Sequence, residues 1–357
     1  MRITQSMVMN SYTSRLGRVF ANLDHATQQT ITHGRKFLSS SEDPAATARA
    51  YQLRKNFQQN NDYLNNVKDV LDTMDSIDAS MMVISKMAEN AHKTMTEGRN
   101  GVWALEDRQI FANELRKMQE TAIDALNARF DDKFVFGGSS IQKLPFELIR
   151  NDDGTQTLTF RGIDITTSNP VERDMLEKYS NEKIYIDMGF GLTVDIKEGI
   201  PVVRDSSAFN TSIPGINLVS FHIDETGKRM PGLVGLDKSG KPLPEDNFIL
   251  NLGMIADELE KEPLDYDQTT HLWEKLTEQR MNILAQVTKV GADYNFLEKQ
   301  RGVLEVNNDN LNNKILNVEF MDMEEAIMNL KMADYIYRAA LEMGTKILTP
   351  SFIDFMR

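Results

Sequence analysis

The chain has 357 residues, a net charge of −13 and no cysteine. This length predicts two or more domains, and the acidic balance argues against nucleic-acid binding, which needs clustered Lys and Arg. The lack of cysteine excludes disulfides, thiolate catalysis and Cys-based zinc sites. There is no apolar run of about 18 residues, so we expect no membrane insertion, and the N-terminus lacks the apolar core of a cleavable secretory signal.

The first predicted element is a helix with one apolar seam. Its apolar residues alternate spacings of three and four, which is typical of a coiled coil. Gly34 offers a natural stop for this helix. The seam consists of Met9, Tyr12, Leu16, Val19, Leu23, Ala26 and Thr30.

A long second helix is predicted from Pro44. Asp43 can serve as its N-cap, and Pro44 suits the first helical position, where no N–H is needed. About fifty helical residues would form a rod of roughly 80 Å, which needs partners along its length. Its seam consists of Val67, Val70, Met74, Ile77, Met81, Ile84, Ala88, Ala91 and Met95.

A third helix is predicted over residues 106–129, where it could fold back on the rod as a helical hairpin. The residues expected to face inward are Ile110, Leu115, Met118, Ala122, Ile123 and Leu126.

Residues 141–270 have a different pattern, with short alternating runs broken by Gly and Pro. Eight of the ten prolines lie between Pro145 and Pro263. The Asn151–Gly154 turn, flanked by FELIR and TQTLTF, predicts a β-hairpin. Further strand candidates in this region are KIYIDM, LTVDI, INLVSFHI and NFILNL, and FVFGG just before it also has an extended pattern. We therefore expect an inserted, β-rich domain here.

A second rod is predicted to resume near Thr270 and to run to residue 318. Arg301 and Asn308 occupy core positions of its heptad frame. Polar residues at such positions either set the register or mark a hydrated or distorted stretch of the helix. The apolar positions of the frame are Ile283, Val287, Val290, Tyr294, Leu297, Leu304, Leu311, Ile315 and Val318.

The last forty residues predict a helix that is apolar on two sides. Such a helix must contact more than one neighbour. One stripe consists of Ile327, Leu330, Tyr337 and Leu341, and the other of Met332, Ile336, Ala339 and Met343.

The sequence predicts no catalytic, cofactor-binding or metal site. The segment Gly235–Lys241 has P-loop spacing, but Pro242 stands where Ser or Thr should hold Mg²⁺, and no helix opens there. None of the five histidines has an i,i+4 partner or a neighbouring carboxylate in a metal-ligand pattern.

Four segments carry a resemblance to the flagellin superfamily, and within it to the flagellin-like hook-associated proteins of the bacterial hook–filament junction. They are Met1–Thr4, the turn from Gly34 through Asp43-Pro44, the element Phe134–Gly138 followed by Pro145-Phe146, and residues 318–355. His33 and Glu42 depart from the flagellin-type turn. The Phe-Gly-Gly…Pro-Phe element, which contains Phe136, Gly137, Gly138, Pro145 and Phe146, resembles the junction proteins more than true flagellin.

The resemblance implies a structural, non-enzymatic protein of the bacterial flagellum, secreted through the type III channel without a cleavable signal. Its implied partners are further copies of itself in a ring, the first hook-associated junction protein, flagellin, and a cytoplasmic export chaperone at the C-terminal helix. No cofactor is implied. The implied assembly interface comprises Met9, Tyr12, Leu16, Val19, Leu23, Ile327, Leu330, Ile336, Tyr337, Leu341 and Met343.

We therefore predict a mainly α fold with a β-rich insert, in which long antiparallel helical rods from both termini flank the insert. Residues 1–43 with 319–357 would form a terminal coiled-coil layer that is mobile in the monomer. Residues 44–140 with 271–318 would form the rod domain, and 141–270 the variable outer domain. The alternatives are a flagellin that forms the filament itself, an adhesin-like binding module, or an enzyme whose site lies in the insert.

Overall fold

The computed structural model describes residues 5–32, 34–37, 39–99, 104–140, 142–151, 155–197, 200–204, 206–223 and 229–348. The chain divides into two compact units. Unit 1 comprises Met1–Asp62 with Leu304–Arg357, and unit 2 comprises Tyr63–Val303. The three-part division predicted from the sequence remains a prediction.

Long helices dominate both ends of the chain, and a strand-rich region lies in the middle, which confirms the predicted fold class. The helices are α1 (Gln5–Ile31), α2 (Pro44–Arg99), α3 (Leu105–Leu126), α4 (Pro170–Ser180), α5 (Ile216–Val219), α6 (Phe248–Leu259), α7 (Tyr266–Glu319) and α8 (Met323–Leu348).

The strands form small antiparallel sheets. In the described residues they pair as β1–β2, β3–β4–β5, β6–β9, β7–β8 and β10–β11. Their bounds are β1 Arg129–Phe130, β2 Lys133–Phe134, β3 Phe146–Arg150, β4 Gln156–Phe160, β5 Ile163–Asp164, β6 Tyr185–Ile186, β7 Val194–Lys197, β8 Ile200–Val203, β9 Phe209–Asn210, β10 Phe221–Ile223 and β11 Arg229–Pro231.

The α2 seam is buried along its whole predicted length, from Val67 to Met95. On α3, Leu115, Ala122 and Leu126 are also buried. Ile110 is an exception, because its side chain is 64% exposed. The prediction that Ile110 faces inward was therefore wrong: the inward face of this turn carries Arg108 and Ala112 instead.

The core of unit 2 is built around a helix that the sequence reading took for a strand. The NFILNL segment begins α6, whose N-cap Asn247 accepts hydrogen bonds from the Ile249 and Leu250 amides. The helix packs against α3 and is buried on nearly every side. A short, continuous apolar run does not distinguish a buried helix from a buried strand, which explains the error.

Other segments in the middle of the chain also differ from the prediction. INLVSFHI splits into α5 and β10, FVFGG contributes only its first residue to a strand, and α4 was missed. The α4 start has clear local causes, since Asn169 caps it and Pro170 occupies the first helical position. The predicted hairpin is confirmed by the pairing of Arg150 with Gln156, although its 152–154 turn lies outside the described residues.

Candidate assembly interface

The two terminal helices pair in an antiparallel arrangement within unit 1. The Tyr12 hydroxyl donates to the Ala340 carbonyl at 2.9 Å, and the rings of Phe20 and Tyr337 lie 5.8 Å apart. Ala26 is also buried. Small and aromatic residues along one face of each helix thus hold α1 and α8 together.

The predicted interface residues divide into two sets by burial. The half-buried set lies on the α1 seam and the facing stripe of α8; it consists of Tyr12, Leu16, Val19, Leu23, Leu330 and Tyr337. The exposed set consists of Met9, Ile327, Ile336, Leu341 and Met343. Pairing of α1 with α8 within one chain therefore buries only part of the apolar surface of these two helices.

Sequence reasoning missed several exposed apolar residues on the same two helices. They are Met7, Val8, Phe20, Met328 and Tyr335. They lie outside the heptad seam, so a search for one periodic stripe passes over them. An exposed apolar surface of this extent is typical of an interaction site.

An apolar groove of about 370 Å³ runs along α1 where α8 leaves it uncovered. Its lining includes Met7, Val8, Tyr12, Leu16, Val19 and Met343, and Arg15 stands at its edge. The groove lies within unit 1, and its exposed apolar lining is typical of a docking surface.

The turns that follow α1 and precede α8 are joined by backbone hydrogen bonds. Gly34 has a φ of +80°, and its carbonyl accepts from the Met321 amide at 2.7 Å. The Lys36 amide donates to the Glu319 carbonyl at 2.8 Å. The buried Glu319 carboxylate also pairs with Arg54 of α2. The end of α1 and the start of α8 are thereby tied to the rods of unit 1.

The flagellin-type turn residues have the predicted local roles. The Asp43 carboxylate accepts from the Ala46 amide at 2.9 Å, and Pro44 is the first residue of α2. His33 lies outside the described residues, as do Met1–Thr4 and Ile353–Phe355.

The Phe-Gly-Gly…Pro-Phe element lies in the core of unit 2. Phe136 and Phe146 are fully buried. A Cβ added to Gly215 would lie 2.8 Å from the Phe136 Cβ and 2.9 Å from the Phe146 ring. Pro145 is buried beside Phe146. Asn127 fixes the Phe146 backbone by donating to its carbonyl and accepting from its amide. These residues anchor the end of α3 to the β3–β4–β5 sheet.

A partly buried ion pair completes this anchor. Arg161 donates to the Gly137 carbonyl and to both Glu182 oxygens, and Glu182 accepts from the Ser139 amide at 3.0 Å. Burial acts most strongly on the Glu182 carboxyl and raises its pKa. The hydrogen bonds from Arg161 and Ser139, with the Arg161 charge, outweigh burial and lower the pKa overall.

The segment with P-loop spacing is a closed turn. The Asp237 carboxylate accepts from the Ser239 and Lys241 amides at 2.7 and 2.9 Å. The hydrogen bond from the Ser239 hydroxyl contributes most to lowering the pKa of Asp237. Amides that would have to bind a phosphate are thus already used by this side chain.

Within the described residues, no group of three or more His, Asp or Glu side chains has the arrangement of a metal site. Within the same residues, no helix combines the length and the hydropathy needed to cross a membrane.

The N-terminal part of the chain matches a known protein family. Residues 3–140 match the family described as the bacterial flagellin N-terminal helical region. The fold is similar to that of solved flagellar hook-associated proteins, as the resemblance seen in the sequence implies.

Two solved structures illustrate the likeness. A structure described as a flagellar hook-associated protein of Vibrio parahaemolyticus is 15% identical, with a TM-score of 0.54 over 78% of this chain and 100% of the other. Flagellar hook associated protein-3 of Legionella pneumophila is 12% identical, with a TM-score of 0.50 over 75% of this chain and 98% of the other. No curated protein sequence gives a significant match.

Proposed function

We propose that this chain is a structural adaptor that joins the bacterial flagellar hook to the filament, by ring assembly through α1 and α8. The observation that carries the proposal is the terminal helix pair, which leaves apolar side chains exposed on both of its helices. The match of residues 3–140 to the flagellin N-terminal region supports the flagellar setting. The role requires no cofactor and no catalysis.

The partners follow from this role. Further copies of the chain would form the ring, with the first hook-associated junction protein on one side and flagellin on the other. The protein would reach the cell exterior through the flagellar type III channel. A cytoplasmic chaperone would cover α8 before export, because exposed residues such as Met332 and Tyr335 favour premature association.

Complementation tests the proposal directly. The chain is expressed in a flagellated bacterium that lacks its own junction protein, together with the cognate hook-associated protein and flagellin. Attached filaments are expected to return, and unpolymerised flagellin in the medium is expected to fall. Secretion without attached filaments would contradict the adaptor role, and long tubes formed by the chain alone would identify a flagellin.

A double variant tests the role of α8. Tyr337→Asp with Leu341→Asp places two charges on the predicted interface, so it is expected to block incorporation into flagella and to weaken chaperone binding. Arg338→Gln is the matched control, because Arg338 is exposed on the same helix and its only described ion pair is with Asp334. Normal swimming by the double variant would contradict the proposed interface.

A further inference from the structure

The α1–α8 pair carries a groove on one side and a ridge on another. The groove is the apolar channel along α1 between Met7 and Val19. The ridge consists of Met328, Met332 and Tyr335 on α8, whose side chains are 63%, 64% and 74% exposed. Spacings of four and three place the ridge residues on one face of the helix.

The ridge cannot fill the groove of its own chain. On the helical wheel, Met328, Met332 and Tyr335 lie nearly opposite the α8 face that carries Ala326 and Tyr337, which packs on α1. A ridge that fills this groove must therefore come from another copy of the chain.

The charged residues beside the groove and the ridge favour a second copy of the chain as the occupant of the groove. Residues 5–23 contain Arg15 and Arg18 but no Asp or Glu, and neither guanidinium has a hydrogen bond or ion pair with the described residues. Glu324 and Glu325 are exposed at the start of α8, one turn before the ridge. The edge of the groove is thus basic, and the start of the helix that carries the ridge is acidic. The two charges are complementary, and every copy of the chain carries both.

The groove also agrees in length with the ridge taken together with the acidic residues before it. The groove from Met7 to Val19 spans about 18 Å, and α8 from Glu324 to Tyr335 spans about 17 Å. When Glu324 lies beside Arg18 in an antiparallel arrangement, Met328 falls near Arg15 and Tyr335 near Val8.

We propose that the ridge of one copy packs in the groove of the next, with Glu324 and Glu325 of the second copy beside Arg15 and Arg18 of the first. This inference rests on the proposed function and specifies how copies meet. Because groove and ridge are different surfaces, the contact is heterologous, and such contacts generate closed rings or open helical arrays. The Met side chains can repack as neighbouring copies shift.

Cysteine cross-linking tests this register without background, since the chain has no cysteine of its own. Purified full-length Val8→Cys and Tyr335→Cys proteins are mixed at high concentration and oxidised. A disulfide-linked dimer that contains one of each variant is expected. Ala21→Cys replaces Val8→Cys in the control, because Ala21 is exposed on the other side of α1, and its heterodimer yield should be about tenfold lower. Equal yields with Val8→Cys and Ala21→Cys would overturn the proposal.

A charge swap gives a second measurement. Arg15→Glu with Arg18→Glu should reduce the Val8–Tyr335 cross-link about tenfold, which corresponds to one decade in affinity. Adding Glu324→Lys and Glu325→Lys to the Tyr335→Cys partner should restore it, and failure to restore it would overturn the charge pairing. The circular dichroism of each variant checks that the helices remain.

Cross-linking and complementation together separate the two proposals. Cross-links without restored filaments would support this contact and contradict the junction role. Filaments without cross-links, with the same cysteine variants expressed and oxidised in the cells, would do the reverse. The absence of both would contradict both.

Discussion

Single residues set the ends of the long helices. Asp43 caps α2 through the Ala46 amide, and this role was predictable because an N-cap depends on a few neighbouring residues. Removing the carboxylate leaves N–H groups at the helix start without a partner. Asp43→Ala should therefore lower the free energy of unfolding by about 1 kcal/mol, measured by urea denaturation. Asp43→Asn retains a capping oxygen and should lose much less, and equal losses would contradict the capping role.

Gly215 shows a residue-scale constraint that no sequence pattern revealed. Its missing side chain leaves room for Phe136 and Phe146, and a Cβ would lie 2.8 Å from the Phe136 Cβ. Gly215→Ala should overpack this core and lower the free energy of unfolding by about 1–3 kcal/mol. Gly240→Ala is the comparison, since space is open there and only the positive φ opposes the change. A neutral Gly215→Ala would show that the two rings can move apart.

The Glu182–Arg161 pair should make stability depend on pH. Folding lowers the Glu182 pKa from its ordinary value of 4.5, so the folded state binds this proton less readily than the unfolded state. The resulting stability is present above about pH 4.5 and is lost as the pH falls through the lowered pKa. Glu182→Gln should therefore show a flatter fall of the melting temperature on acidification than the wild type. Parallel curves would show that Glu182 contributes nothing to the acid response.

At the scale of elements, the sequence predicted the long repeating helices and missed the short helices α4, α5 and α6. The α2 seam extends from Val67 to Met95, so many residues agree on one period. In contrast, α6 is a single short apolar run whose helical state depends on Asn247 and on burial against α3. The apolar residues of the terminal helices follow the same rule: those on the repeating stripes were predicted, whereas the exposed Met328 and Tyr335 were not.

Within unit 1, asparagine side chains form a polar layer between α2 and α7. Asn60 donates to the Leu304 carbonyl at 2.8 Å and to the Asn308 side chain at 3.0 Å. Polar pairs at core positions of coiled coils fix the register and reduce stability. The pairing of Asn60 with Asn308 favours the interpretation that Asn308 sets the register over the interpretation that it marks a hydrated or distorted stretch.

Replacing this layer with leucine should raise stability and loosen the register. The Asn60→Leu, Asn308→Leu double variant should unfold at a higher urea concentration than the wild type. Spin labels on Lys55→Cys and Asn312→Cys should then give a broader distance distribution by electron paramagnetic resonance. Leu53→Met is the control because it conserves volume and leaves the asparagines in place. An unchanged distribution in the double variant would show that the apolar seam alone sets the register.

For the whole molecule, the division into two units predicts unequal dependence on the terminal helices. The large buried cluster runs from Ile77 to Val290, so all of its members lie in unit 2. Deleting 320–357 removes α8 and half of the terminal pair but none of that cluster. The shortened chain should therefore keep its near-ultraviolet circular dichroism and the main calorimetric transition, yet fail to assemble or attach filaments. A matched deletion inside unit 2, of residues 248–259, should abolish that transition because it removes α6 from the core. If deletion of 320–357 also abolished it, the core of unit 2 would depend on the terminal helices, and assembly and folding could not be separate tasks of this chain.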